Sequence, residues 1–200
     1  MSKKVYFSGS TQGANVGVGA YGTERDRMQD LADKVVWWII QGRGDILCYR
    51  NRGDMSLIDT INDSNASGSE YHLALHSNAS GGSGTECYYY YATQGDGKEW
   101  ATAIYNAVAP LTISGDRGVK PDNTLYDMGL AELRETNAVA CLIEIMFHDN
   151  LADVNDYLAK QDKIAEAIAR AIYNYLGIVY YAEPVIPPVV EKTEKEKVIE

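Results

Sequence analysis

Apolar positions along this chain follow two rhythms. Short, nearly continuous apolar runs occur at Val5-Tyr6-Phe7, Ile46 to Tyr49, Tyr71 to His76, Glu86 to Tyr91 and Val139 to Phe147. Runs of this length rich in β-branched and aromatic residues read as strands. Between them apolar residues recur at spacings of three and four. Met28, Leu31, Val35 and Trp38 follow Thr23, a good N-cap, with Glu24 and Asp26 in the first turn. A shorter helix is predicted from Ser56 to about Asn65, and another from Lys98 to Ala109, stopped by Pro110. Two helices are predicted near the end, Asp153 to Leu158 and Lys160 to Leu176. In the second, Ile164, Ile168, Ile172 and Leu176 form one stripe, and Gly177 suits the position after its end. Residues 115–135 read as irregular, with a short strand or helix near Met128 to Leu133.

Strands alternating with helices predict an α/β fold: a single twisted, mostly parallel sheet with helices on both faces, phosphorylase/hydrolase-like. In such sheets ligands gather beyond the carboxyl ends of the strands. Ser8, His76 and the stretch Phe147 to Asn150 fall at those ends. After Tyr181 the sequence turns proline-rich (Glu183-Pro184-Val185-Ile186-Pro187-Pro188) and then charged. The expected organisation is one domain over 1–181 and a Pro-rich, then charged linker or tail over 182–200.

Composition narrows the classes. Two hundred residues are enough for a real core. A formal net charge of -10 argues against a nucleic-acid partner, which would select a basic face. No apolar run approaches the ~20 residues of a bilayer span, so no membrane insertion is expected. The basic N-terminus is followed by too short an apolar run for a signal peptide. The expectation is a protein made in the cytoplasm that, if it acts outside, is released by another device. The three cysteines, Cys48, Cys87 and Cys141, lie far apart in apolar stretches. They read as buried thiols, and none has the context of a nucleophile.

Two runs carry candidate chemistry. Ala140 to Asn150 holds one carboxylate, Glu144, inside an apolar strand and ends in His148-Asp149-Asn150. A buried carboxylate is costly unless paired or bound to metal. The structural alternative is an ion pair with Arg117 or Lys120. The run ending in His76-Ser77-Asn78-Ala79 offers a metal ligand at a strand end. Together they suggest metal-assisted hydrolysis. His72, four residues earlier on the same strand face, lies some ~13 Å from His76 and reads as structural.

Four stretches in order carry a resemblance: Tyr21-Gly22-Thr23-Glu24, Leu75-His76-Ser77-Asn78-Ala79, Asp116-Arg117-Gly118-Val119-Lys120, and Leu142-Ile143-Glu144 with Phe147, Asp149 and Asn150. The chain resembles the zinc-dependent N-acetylmuramoyl-L-alanine amidases of autolysins and phage endolysins over about residues 4–177. The resemblance implies a peptidoglycan hydrolase that cuts between N-acetylmuramic acid and L-alanine with zinc-activated water. It implies Glu24 and His76 as zinc ligands, Glu144 as acid/base, and Asn78 and Arg117 as substrate contacts. The absence of a signal peptide and the tail favour an endolysin.

One motif departs. Where the family has Gly-His-Gly, this chain has Ser8-Gly9-Ser10-Thr11-Gln12, and no histidine precedes His72. The third ligand is then His148, which shares strand parity with Glu144, or an oxygen of Gln12 or Asn15. The alternative reading is a metal-poor, inactive relative that binds cell-wall fragments.

Overall fold

The computed structural model describes residues 2–93, 95–113 and 116–181, leaving the predicted tail over 182–200 outside the described residues. Six strands form one sheet: β1 (Lys3–Gly9), β2 (Ile46–Arg50), β3 (Tyr71–Asn78), β4 (Thr85–Tyr89), β5 (Asp116–Pro121) and β6 (Val139–Phe147). Their order is β2-β1-β3-β6-β4-β5, parallel throughout except that β4 runs antiparallel to β6. The helices are α1 (Glu24–Gln41), α2 (Leu57–Ser67), α3 (Asp96–Val108), α4 (Ala131–Arg134) and α5 (Leu151–Tyr175). The predicted α/β architecture, mostly parallel with helices on both faces, is the observed one.

Strand alternation divides the sheet's two faces. Leu73, Leu75, Cys141, Ile143 and Ile145 point into the main core with Met28, Leu31 and Val35 of α1, Trp100 and Ile104 of α3, and Ile164, Ile168 and Ile172 of α5. The opposite face carries a small cluster of Ala74, Tyr88, Leu133, Ala140 and Leu142. A face so thinly covered by apolar side chains leaves room for polar ones. On it stand His72 and His76 of β3 and Glu144 of β6.

Three elements differ from expectation. Residues 116–121 form β5, although the segment holds only one strongly apolar residue, Val119. It is an edge strand, where charge and a terminal proline are tolerated. The two predicted terminal helices are one unbroken α5, started by Asn150, whose side chain accepts from the N–H groups of Ala152 and Asp153. Lys160, expected to start the second helix, instead lies within α5 and donates to the Leu111 carbonyl at 2.9 Å. The third difference is at the end of β6. His76 pairs with Glu144, but Asn78 pairs with Phe147, so β6 spends one extra residue over that interval. Ile145 and Met146 consequently both face the main core. This bulge inverts the parity of everything after it.

The segment after the bulge ropes down the Ser/Gly loop between β3 and β4. Asp149 accepts from the N–H groups of Ser80 and Gly81 at 2.7 and 2.8 Å. Asn150 donates to the Gly82 carbonyl. Asp153 accepts from Ser83 Oγ and from the N–H groups of Gly84 and Phe147. Replacing Asp153 by Ala is expected to cost about 1–3 kcal/mol, because buried N–H groups lose their acceptor. Chemical denaturation should show that loss, with faster proteolytic nicking within 79–84. An unchanged midpoint would show that the loop is held without it.

Candidate functional site

The carboxyl edge of the sheet gathers a lateral row of polar side chains. Ser10 extends β1 beside β3, its N–H bonded to the Leu75 carbonyl. His76 pairs across to Glu144, and Glu144 across to Glu86 of β4. Arg117 and Lys120 of β5 reach Glu86 at 3.2 and 2.6 Å. The row therefore runs Ser10, His76, Glu144, Glu86 and then two cations. Register alone places these residues side by side, since neighbouring strands lie ~4.8 Å apart.

Glu24 enters this row from above. Thr23 caps α1 by accepting from the Asp26 N–H at 3.1 Å, and Glu24 is the first helical residue, where the helix dipole favours negative charge. Its N–H is fixed by the Asn15 carbonyl and its Oε2 by Asn15 Nδ2 at 2.7 Å. Its Oε1 lies 2.8 Å from His76 Nδ1. That contact is close yet off the line of a hydrogen bond, and Glu24 Oε1 has no hydrogen-bond partner. Burial opposes the Glu24 charge, but His76, Asn15 and Ser10 outweigh it and lower its pKa.

Glu144 behaves differently. Burial pushes its carboxyl up to about 7, with His76 pulling it down and the charges of Glu24 and Glu86 adding to the rise. Its Oε2 has no hydrogen-bond partner among the described residues. The cations considered for it in the sequence, Arg117 and Lys120, are taken by Glu86 instead. Glu86 is buried, yet Lys120 and Arg117 overcome that burial and hold its pKa low. Two adjacent carboxyls thus differ in environment, one charge-paired and one poised near neutrality.

Two concavities flank the row. A cavity of about 200 Å³ opens on the His76 side, lined by Ser10, Gln12, Thr60 and Glu132 among others. A groove of about 690 Å³ opens on the Glu86 side, lined by Asn78, Tyr88, Arg117, Lys120 and Phe147 among others. Asn78 and Arg117, expected to touch substrate, line this groove. Both also hold Glu86: Asn78 Nδ2 donates to its Oε1 at 2.5 Å, and the Arg117 guanidinium stacks 4.9 Å above the Phe147 ring.

His148 is not part of the row. The bulge turns it to the opposite face, where it is 4% exposed. Its Nδ1 lies 2.9 Å from Ser77 Oγ, which accepts from Tyr21 OH, and its ring stacks on Tyr21. The expectation of a shared face with Glu144 fails because β6 is not regular to its end. Gln12 does reach the site, with Nε2 3.4 Å from His76 Nδ1 and Oε1 bonded to Asn15. Sequence reasoning missed Glu132, whose carboxylate lies between His72 and His76. The available signal was His72 itself, a buried histidine that needs a partner.

Among the described residues no three His, Cys, Asp or Glu side chains enclose one metal position. Two donors do fit one ion. Ligands about 2.0 Å from a shared zinc lie roughly 3 Å from each other, as Glu24 Oε1 and His76 Nδ1 do without being hydrogen-bonded. Three carboxylates, Glu132, Glu24 and Glu144, also outweigh burial and raise the His76 imidazole to about 10. The third donor available on the Nδ1 side is the Gln12 amide, whose oxygen and nitrogen can exchange places by a flip.

Comparison with known proteins bears on the family and the fold. The chain is 31% identical over 123 residues to the N-acetylmuramoyl-L-alanine amidase CwlM of Bacillus licheniformis, covering 62% of this chain and 46% of that protein. It is 30% identical over 122 residues to the sporulation-specific N-acetylmuramoyl-L-alanine amidase of Bacillus subtilis, covering 61% and 45%. These matches span less than half the length of either relative. Among solved structures, the catalytic domain of CwlV, an N-acetylmuramoyl-L-alanine amidase from Bacillus (Paenibacillus) polymyxa, superposes with a TM-score of 0.75 at 24% identity, over 88% of this chain and 99% of that one. The catalytic domain of the CD27L endolysin superposes with a TM-score of 0.69 at 23% identity, over 87% and 98%. Both share the fold. A family model described as N-acetylmuramoyl-L-alanine amidase matches residues 8–174, the whole sheet edge included, and the chain belongs to that family.

Proposed function

We propose that this chain hydrolyses the amide between the lactyl group of N-acetylmuramic acid and L-alanine in peptidoglycan, with Glu24 and His76 holding a zinc ion and Glu144 as acid/base. The observation that carries this reading is Glu144: a half-buried residue in register with His76, its carboxyl raised to about 7, whose Oε2 is buried with no hydrogen-bond partner among the described residues. A zinc ion at Glu24 and His76 would polarise the scissile carbonyl and acidify water. Gln12 replaces His148 as the third ligand in this reading, because His148 lies on the other face.

The chain's own residues then divide the work. Glu144 takes a proton from the attacking water at Oε2 and returns it to the leaving nitrogen of L-alanine. A pKa near neutrality suits a group that must both accept and give a proton. Glu86, kept ionised by Lys120 and Arg117, stands next to Glu144 and helps keep that pKa high. The groove beyond Glu86 takes the stem peptide, where Arg117 and Lys120 supply positive charge for its carboxylates and Asn78 contacts its backbone.

A second reading has one observation in its favour. Ser10 stands in the row beside His76 and supplies no metal-binding nitrogen. On that reading the chain holds wall fragments without cutting them, with Arg117 and Lys120 supplying positive charge beside Glu86.

Three measurements separate these readings. Glu144→Gln keeps shape and removes the proton acceptor; turnover of a muramyl peptide is expected to fall ~100-fold or more while zinc content is unchanged. Near-normal turnover would remove Glu144 from the chemistry. His76→Ala is expected to abolish both zinc binding and lysis of cell walls. A wild-type protein that binds no zinc and lyses no wall would establish the second reading. In a zinc titration, Gln12→Ala is expected to weaken binding, whereas His148→Ala leaves stoichiometry and affinity unchanged and lowers only thermal stability. A loss of zinc in the His148 variant would contradict the assignment to Gln12.

A further inference from the structure

Behind His76 lies a second chain of buried groups that the hydrolytic reading does not use. Glu132, on the single turn of α4, is 6% exposed. Its Oε1 lies 3.1 Å from His72 Nε2, and its Oε2 lies 3.8 Å from His76 Nε2. His72 is fully buried and fixed on every side. Its Nδ1 lies 2.9 Å from Ser64 Oγ of α2, its ring stacks on Tyr6 at 5.3 Å and 14°, and its carbonyl accepts from Trp100 Nε1. The sequence Ser64, His72, Glu132, His76 and Glu24 is therefore one continuous line of polar contacts from α2 to the start of α1.

The two carboxylates in this line address opposite sides of one ring. Glu24 meets Nδ1 and Glu132 faces Nε2. A single ion can use the lone pair of only one ring nitrogen, so Glu24 and Glu132 cannot both share an ion with His76 in this orientation. The carboxylate on the far side has a different use. A ligating histidine commonly donates its other N–H to a carboxylate, which fixes the tautomer and the ring plane. His76 Nε2 has no other hydrogen-bond partner among the described residues. A separation of 3.8 Å closes to a hydrogen bond with a sub-ångström shift of either side chain, and the adjoining cavity gives Glu132 room for it. His72 holds the other oxygen of Glu132, so the carboxylate cannot turn away.

We propose that Glu132 is the positioning residue of His76: it binds the Nε2–H and presents Nδ1, with its lone pair, toward Glu24. His72 serves Glu132 in the same way, which gives that buried histidine a task beyond packing. Residue 132 thereby compensates for the thin ligand set. Where a histidine is missing at Ser10, the remaining histidine is held more firmly. The inference rests on the zinc site proposed above, but the orientation of the ring can be read without metal.

The test compares wild type, Glu132→Gln and Glu132→Ala. Circular dichroism and thermal melting of the metal-free proteins first show that each is folded; Glu132→Gln, nearly isosteric, serves if the Ala variant is not. In metal-free protein, a side-chain nitrogen–proton correlation spectrum should show the His76 Nε2–H protected from solvent exchange in wild type and lost to exchange in the variants. Zinc titration should show the dissociation constant rising about 10- to 100-fold, with the stoichiometry still one. Unchanged Nε2–H protection in a folded variant overturns the proposal, and so does unchanged zinc affinity if wild type binds zinc. If wild type binds no zinc while Nε2–H protection still depends on Glu132, the positioning role stands and the zinc reading falls.

Discussion

The charge density around one imidazole constrains the rest of this structure. Glu24, Glu132 and Glu144 close on His76 at the edge of a sheet, with Glu86 one strand further on. Buried carboxylates at this spacing repel one another and lose hydration, and each loss must be offset locally. The fold does so by giving every carboxylate a different environment. Glu24 has a helix N-terminus and Asn15. Glu132 has His72. Glu86 has Lys120 and Arg117. Glu144 is the one left without a partner, and it is the one whose proton affinity rises. A carboxyl near neutrality is thus the residue of an otherwise satisfied network.

This arrangement explains why the thin face of the sheet is thin. A well-packed apolar layer over Ala74, Ala140 and Leu142 would leave no space for α4 to deliver Glu132 or for the cavity beside it. The main core on the other side, from Met28 to Ile172, carries the apolar burial that holds the domain together. Stability and chemistry are separated by strand parity, one face each.

Much of this was legible in the sequence. The N-cap at Thr23, the stripe of α5, the strand ends at His76 and Phe147, and the lone carboxylate in β6 follow from local periodicity and from the cost of burying charge. The remainder depended on information that periodicity does not contain. A bulge at Ile145-Met146 is invisible in a run that is apolar on both faces, and it moved His148 from one side of the sheet to the other. β5 was hidden because an edge strand has few apolar positions to reveal it. Glu132 sits on a four-residue helix in a segment that reads as irregular, and its role exists only through two histidines some sixty residues away. The break expected between Leu158 and Lys160 is not there: α5 runs unbroken from Leu151 to Tyr175.

The strand order carries a consequence in time. Of the six described strands β6 is synthesised last, yet it sits at the centre of the sheet, between β3 and β4. Until residue 147 has been synthesised, β3 and β4 each present an unpaired edge, and His76 and Glu86 lie on separate pieces of a sheet that cannot close. Long-range pairing of this kind is slow relative to local helix formation. The carboxylate that completes the row, Glu144, arrives only with β6, so no chain ending before β6 holds the assembled row. Closure of the sheet and assembly of the polar row are the same event, and a chain cut short of β6 is left with exposed strand edges, prone to pairing with other chains.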